Sequence, residues 1–207
     1  MAETTERSLV PDKELGANPS QGLRVLAFEV RSEKIGFAVF EGPTRLLDWG
    51  VRHFAHRKNH SEVALGKRID TILHLYQPSI IVAHQRSDYR SRAKQRGLVM
   101  AAIQKEATGR SISFRVVDTK ALRDFFLPYE CKTKYEIAST LAEWFESLTW
   151  KLPLKRMPWH SEHHNLVIFD AVAAGVVFFA GMEPGSHSML NNSCDLGWPF
   201  RWPLTDV

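Results

Sequence analysis

The segment Leu23–Glu41, LRVLAFEVRSEKIGFAVFE, constrains the fold more than any other part of the chain. An apolar run, LRVLAF, leads into Glu29. A short polar turn, VRSEK, follows, and a second apolar run, IGFAVF, returns. Two apolar stretches of strand length joined by a short polar turn predict a β-hairpin. A carboxylate at the end of such a strand stands on a rigid frame, at the kind of place where sites gather in α/β sheets. It is a candidate metal ligand. The competing reading is a solvated hairpin residue.

The rest of the pattern supplies the layers around that hairpin. LLDWGVRH predicts a third strand over 46–53, after a turn at Gly42-Pro43. Apolar residues at helical spacing predict a helix over 61–76, with Ser61 as N-cap and Pro78 as terminator. SIIVA, 79–83, reads as a short strand buried on both sides. A helix over 90–107, a strand over 112–117 and helices over 119–126, 134–148 and 162–180 complete the order. Three antiparallel-capable strands followed by alternating helices and strands predict an α/β fold, a mixed five-stranded sheet with helices on both faces. Residues 1–21 are polar and read as a disordered N-terminal extension. Residues 22–182 form the domain, and 183–207 form a Pro- and Trp-containing tail. In that tail Trp198, Phe200, Trp202 and Leu204 alternate with proline and one arginine, as in a docking segment or a cover for an apolar patch.

Charge narrows the class of partner. The 207-residue chain carries a formal net charge of +4. Its first 21 residues hold four acids and two bases, which leaves +6 on the remainder. That mild basic excess is compatible with nucleic acid. Two cysteines, Cys131 and Cys194, form neither a CxxC pair nor a disulfide framework, so a reducing compartment is expected. The acidic, polar start does not read as a signal peptide, and the most apolar run, 166–180, is shorter than a span and contains Asp170. A soluble cytoplasmic protein without a membrane partner is the expectation. No P-loop, GxGxxG, GxSxG or zinc-finger pattern is present, which argues against P-loop hydrolysis, dinucleotide redox and serine-hydrolase chemistry.

Asp170 is the strongest single candidate. It is the lone charge in LVIFDAVAAGVVFFAG, and burying an unpaired carboxylate costs several kcal/mol, so it calls for a partner, a cation or a function. Its structural alternative is a solvent-facing or simply paired acid. Glu162, in SEHHN, suits a helix N-terminus by charge alone. His163 and His164 beside it, with His160, suggest zinc but lack the i, i+4 spacing of a strong zinc motif. His84 closes the strand SIIVA, and Asp88 follows four residues later. Arg86, Arg90, Arg92, Lys94 and Arg96 form the densest basic cluster and suit phosphate contacts, with Tyr89 placed to stack on a base. A solvated helix face is the competing reading. Lys132 and Lys134, with Lys151, Lys155 and Arg156, extend the basic surface.

Taken together, AFEVRSEKIGFAVFE, QPSIIVAHQ, RVVDTKALRDFF, KTKYEIASTLAEWF and IFDAVAAGVVFF resemble the RuvC-like branch of the ribonuclease H superfamily over about 23–180. Glu29 takes the position of the family's first-strand Asp, and Gly36-Phe37 matches the Gly and aromatic of the next strand. His84 stands where the family places a Glu. Asp170 matches the last Asp, and Val167 stands where a second acid is often found, with Glu162 upstream as its substitute. The resemblance implies a ribonuclease H-like fold and a metal-dependent endonuclease acting on branched or structured nucleic acid, DNA rather than RNA, as a homodimer. It implies two Mg²⁺ or Mn²⁺ ions on Glu29, Glu162 and Asp170, with His84 assisting catalysis. Two alternatives stay open: a binding protein of this fold that has lost efficient cleavage, and an RNA-processing or transposition relative.

Overall fold

A computed structural model describes residues 22–31, 33–53, 62–85, 93–157 and 161–182. The hairpin forms the middle of the sheet. Strand β1 (Arg24–Val30) pairs antiparallel with β2 (Lys34–Glu41), which pairs antiparallel with β3 (Leu46–His53). On its other side β1 pairs parallel with β4 (Ile80–Gln85), and β4 pairs parallel with β5 (Ser113–Asp118). The order is β3-β2-β1-β4-β5, the mixed five-stranded sheet that the pattern predicts.

Successive residues of a strand face opposite sides of the sheet. On β1 the even residues Leu26, Phe28 and Val30 join a core with Ile69, Leu73, Val99 and Ile103. Those four come from helices α1 (Glu62–Tyr76) and α2 (Ala93–Gly109). The odd residues Val25 and Ala27 join a second core with Leu122, Leu141 and Val172. That face is covered by α3 (Thr119–Phe126), α4 (Lys134–Trp144) and α5 (Leu166–Met182). Both faces of the sheet are therefore clothed, which is why the interiors of β1 and β2 are apolar on both sides apart from Glu29.

Helix α5 lies directly on the hairpin. A Cβ on Gly36 would fall 2.2 Å from the carbonyl oxygen of Val167, so only glycine lets the helix backbone approach β2 this closely. Gly175 makes the same kind of room for the ring of Phe40. Val167 is thereby packed against the sheet, 1% exposed.

Several element boundaries depart from the sequence pattern. Glu29 lies inside β1, paired with Gly36 and His84, rather than after its end. Helix α4 stops at Trp144, where Phe145 turns to an extended conformation and a 3-10 segment, Glu146–Lys151, follows. The last helix starts at Leu166, not at Glu162: Leu166 N–H donates to His163 O and Ile168 N–H to Asn165 O. His163 therefore lies off the helix and exposed. No helix among the described residues is long and apolar enough to cross a membrane. Residues 1–21 and 183–207, including the Trp-containing tail, lie outside the described residues, as do Ser61, Arg86, Asp88, Tyr89, Arg90, Arg92 and His160.

Candidate functional site

Period-two alternation carries the odd face of β1 from Val25 and Ala27 to Glu29 and then to Arg31, just beyond the strand. Both polar side chains are thus delivered under α5, where Asp170 sits. Glu29 is fully buried and Asp170 is 7% exposed. Arg31 binds three carboxylates at once. Its Nε lies 2.8 Å from Glu29 Oε1, an ion pair rather than an aligned hydrogen bond. Its two terminal nitrogens donate to Glu162 at 3.0 and 3.2 Å, a forked contact that suits a planar guanidinium. One of them also donates to Asp170 Oδ2 at 2.5 Å.

Lys134 is the second cation. Its ammonium donates to Glu162 Oε1 at 3.1 Å and to Asp170 Oδ2 at 3.0 Å. It is the first residue of α4, behind the Thr133–Glu136 capping box. A lysine at a helix N-terminus works against the backbone dipole, and here the two acids offset that cost. His84, on the odd-face register of β4, brings Nδ1 to 2.7 Å from Glu29 Oε2. A carboxylate only accepts, so Nδ1 carries the hydrogen, and Nε2 faces Thr119 Oγ1 at 3.4 Å.

The electrostatics follow from this packing. Burial alone would raise the Glu162 carboxyl, but the Arg31 hydrogen bond and the Lys134 and Arg31 charges outweigh it and bring it down to about 2. Burial would likewise weaken the Arg31 charge, yet the Glu162 hydrogen bond and the charges of Asp170 and Glu29 raise its pKa. Asp170 goes the other way. Burial raises it first, the Glu29 charge adds to that, and Lys134 and Arg31 only partly oppose the rise.

The structure thus gathers Glu29, Glu162 and Asp170 around the Arg31 guanidinium, with Lys134 on the last two and His84 on Glu29. Lys94 and Arg96 lie on α2, across the sheet from this cluster. Lys132 is exposed just before the α4 cap. Arg31 is the site residue that motif reading passed over. Its signal was present: it lies two positions after Glu29 and so on the same side of the extended chain. A cleft of about 400 Å³ opens beside the cluster, lined in part by Lys134, Lys155, Arg156, Glu162 and His163. It gives an anionic chain a basic approach to the carboxylates.

A pair of divalent ions does not fit this donor set. Hard cations take carboxylate oxygens left open toward a shared point. Here oxygens of Glu29, Glu162 and Asp170 are already bound by Arg31 and Lys134, whose positive charges occupy the place between them. Among the described residues no group of three or more His, Cys, Asp or Glu side chains is arranged to hold a metal.

Comparison with solved structures agrees with the topology. The chain is similar to Thermus thermophilus RuvC in complex with a Holliday junction substrate, with a TM-score of 0.59 and 17% identity over 77% of this chain and 94% of that one. It is also similar to a second Thermus thermophilus RuvC structure, with a TM-score of 0.57 and 17% identity over 77% of this chain and 95% of that one. No protein-family model matches the sequence, and no curated protein matches it. The fold is RuvC-like.

Proposed function

We propose that this protein binds structured or branched DNA on a RuvC-like frame, and that two-metal phosphodiester hydrolysis is not its principal activity. The carrying observation is the neutralised acid cluster: one guanidinium touches Glu29, Glu162 and Asp170, and one ammonium touches the last two. The binding half of the reading draws support from the fold, the basic excess and the cleft with Lys155 and Arg156. In this reading Arg31 and Lys134 hold the acids as structural counter-charges. His84 orients Glu29, and exposed bases of both faces meet phosphates.

A metal-dependent endonuclease is the second reading, and the gathering of Glu29, Glu162 and Asp170 around the Arg31 guanidinium favours it. It requires Arg31 and Lys134 to withdraw from the carboxylates before an ion enters. One experiment separates the two. Four-way junction, flap and linear DNA, with an RNA duplex as competitor, are incubated with the protein in Mg²⁺ or Mn²⁺, alongside Asp170→Asn. Tight, salt-dependent binding with structure preference and no cleavage is the expected result. Cleavage by the parent protein that Asp170→Asn abolishes would overturn the binding-only reading. Preference for the RNA competitor would move the substrate class.

A further inference from the structure

At the opposite edge of the same face, the 3-10 segment Glu146–Lys151 lies against edge strand β3. Trp150 of that segment stands 5.4 Å, centroid to centroid, from Trp49 of β3, with the ring planes at 55°. Trp150 is 70% exposed, an unusual position for the largest apolar side chain. Lys151 places its ammonium 3.9 Å from the Trp150 ring centre and 5.8 Å from that of Trp49. The two indoles form part of the wall of a cleft of about 600 Å³ that Lys151, His164 and Asn165 also line. The cleft is braced: Asn165 Nδ2 donates to Lys151 O at 3.0 Å, tying the 3-10 segment to the stretch before α5.

The charge around this cleft is positive. Lys34 donates to His164 O at 3.3 Å on its margin. Burial lowers the pKa of His164, and the charges of His163, Lys34, His53 and Lys151 all lower it further, the mark of a basic neighbourhood. The acid that lines the cleft, Asp48, already accepts from the Tyr76 hydroxyl and from the backbone N–H of Trp49. The stretch 162–165 joins the two sites, with Glu162 in the acid cluster and His164 and Asn165 in this wall.

We infer that the Trp49–Trp150 cleft is a stacking subsite for an unpaired nucleotide of the bound nucleic acid. An exposed indole offers a face to a base, and Lys151 and Lys34 offer ammonium groups to the flanking phosphates. Aromatic stacking of this kind is tolerant of sequence and selective for unpaired bases. An apolar peptide would use the indoles but leave the paired lysines without a counter-charge. The inference rests on the nucleic-acid-binding reading and sharpens it by naming what part of a branched substrate is held apart from the acid cluster.

The test compares a labelled duplex carrying a bulge of unpaired thymines with the same duplex fully paired, by fluorescence anisotropy. Trp150→Ala is expected to weaken binding of the bulged duplex by about tenfold and leave the paired duplex unchanged, while Trp150→Phe keeps most of the affinity. Because Trp150 is exposed, neither change threatens the fold. Unchanged bulge binding in Trp150→Ala, or equal loss on both duplexes, would overturn the stacking subsite and leave the binding reading standing. Failure of the unmutated protein to bind either duplex would bring down both. Indole fluorescence quenched by an apolar extended peptide but not by oligo-thymidine would assign the cleft to a protein partner and overturn the inference.

Discussion

The two faces of β1 solve different problems with the same strand. On the even face, Leu26, Phe28 and Val30 belong to an apolar cluster with side chains of β2, β4, α1 and α2, and the energy is that of area removed from water. On the odd face, Val25 and Ala27 pack in the same way, but Glu29 and Arg31 then bring charge under α5. There the balance depends on pairing. Three buried or half-buried carboxylates are tolerated because Arg31 and Lys134 reach them, and a loss on either side leaves a charge without its partner. Apolar packing degrades gradually when atoms are removed, whereas a charge network fails at a particular partner and is repaired by another charge.

That difference is open to direct attack. Phe28→Ala on the even face should cost about 3–5 kcal/mol in denaturant unfolding, and no added ion should restore it. Arg31→Ala should cost a comparable amount, about 3–5 kcal/mol, because it removes the charge shared by Glu29, Glu162 and Asp170 and leaves His84 on Glu29 and Lys134 on the other two. Millimolar Mn²⁺ should then raise the melting temperature of Arg31→Ala by several degrees, since the uncovered carboxylates gain a cation that binds only the folded chain. The parent protein should show no such rise. A saturable Mn²⁺ shift in the parent would instead mean that its two cations yield to metal, which would favour the endonuclease reading.

The smallest expected effect lies in pH. Glu162 is held at about 2, below its ordinary 4.5, so the folded state binds its proton more weakly than the unfolded chain. Its contribution is fully present above about pH 4.5 and lost as pH falls through 2. Asp170 is shifted upward, so its effect has the opposite sign: it opposes folding above its folded pKa and ceases to do so in acid. Glu162→Gln should therefore flatten the acid limb of the stability curve by on the order of 1–2 kcal/mol, the figure being reduced because Glu162 is partly exposed. An acid limb as steep as the parent's would show that Glu162 is not held by Arg31 and Lys134.

How much of this was legible beforehand follows the range of the forces. The hairpin, the buried strand SIIVA and the apolar final helix are set by local pattern, and the order of elements was enough to predict a mixed sheet with helices on both faces, while the strand order came only from the structure. Gly36 could be singled out as a family position, but its reason, the carbonyl of Val167 in the space of its absent Cβ, comes from a helix 131 positions later in the chain. Local sequence places the start of α5 at Glu162, an acid suited to a helix N-terminus, but in the fold its carboxylate is drawn to Arg31 and Lys134 and the helix starts at Leu166. Lys134 read as one of several surface bases, since nothing local marks a lysine at the start of a helix as belonging to an acid cluster.

The sequence alone determined that an acid would stand on the hairpin, that another would stand in an apolar helix, and that the strands and helices would form a mixed α/β sheet. Alternation and helical spacing are local properties, and hydrophobic burial acts on them wherever they occur. Only the tertiary structure decided what occupies the space between those acids. Glu29 meets His84 across 55 positions, and Arg31 meets Glu162 and Asp170 across 131 and 139. Whether a carboxylate site is open or already neutralised depends on those long-range partners, because a side chain's charge is fixed by its residue type while its counter-charge is fixed by packing.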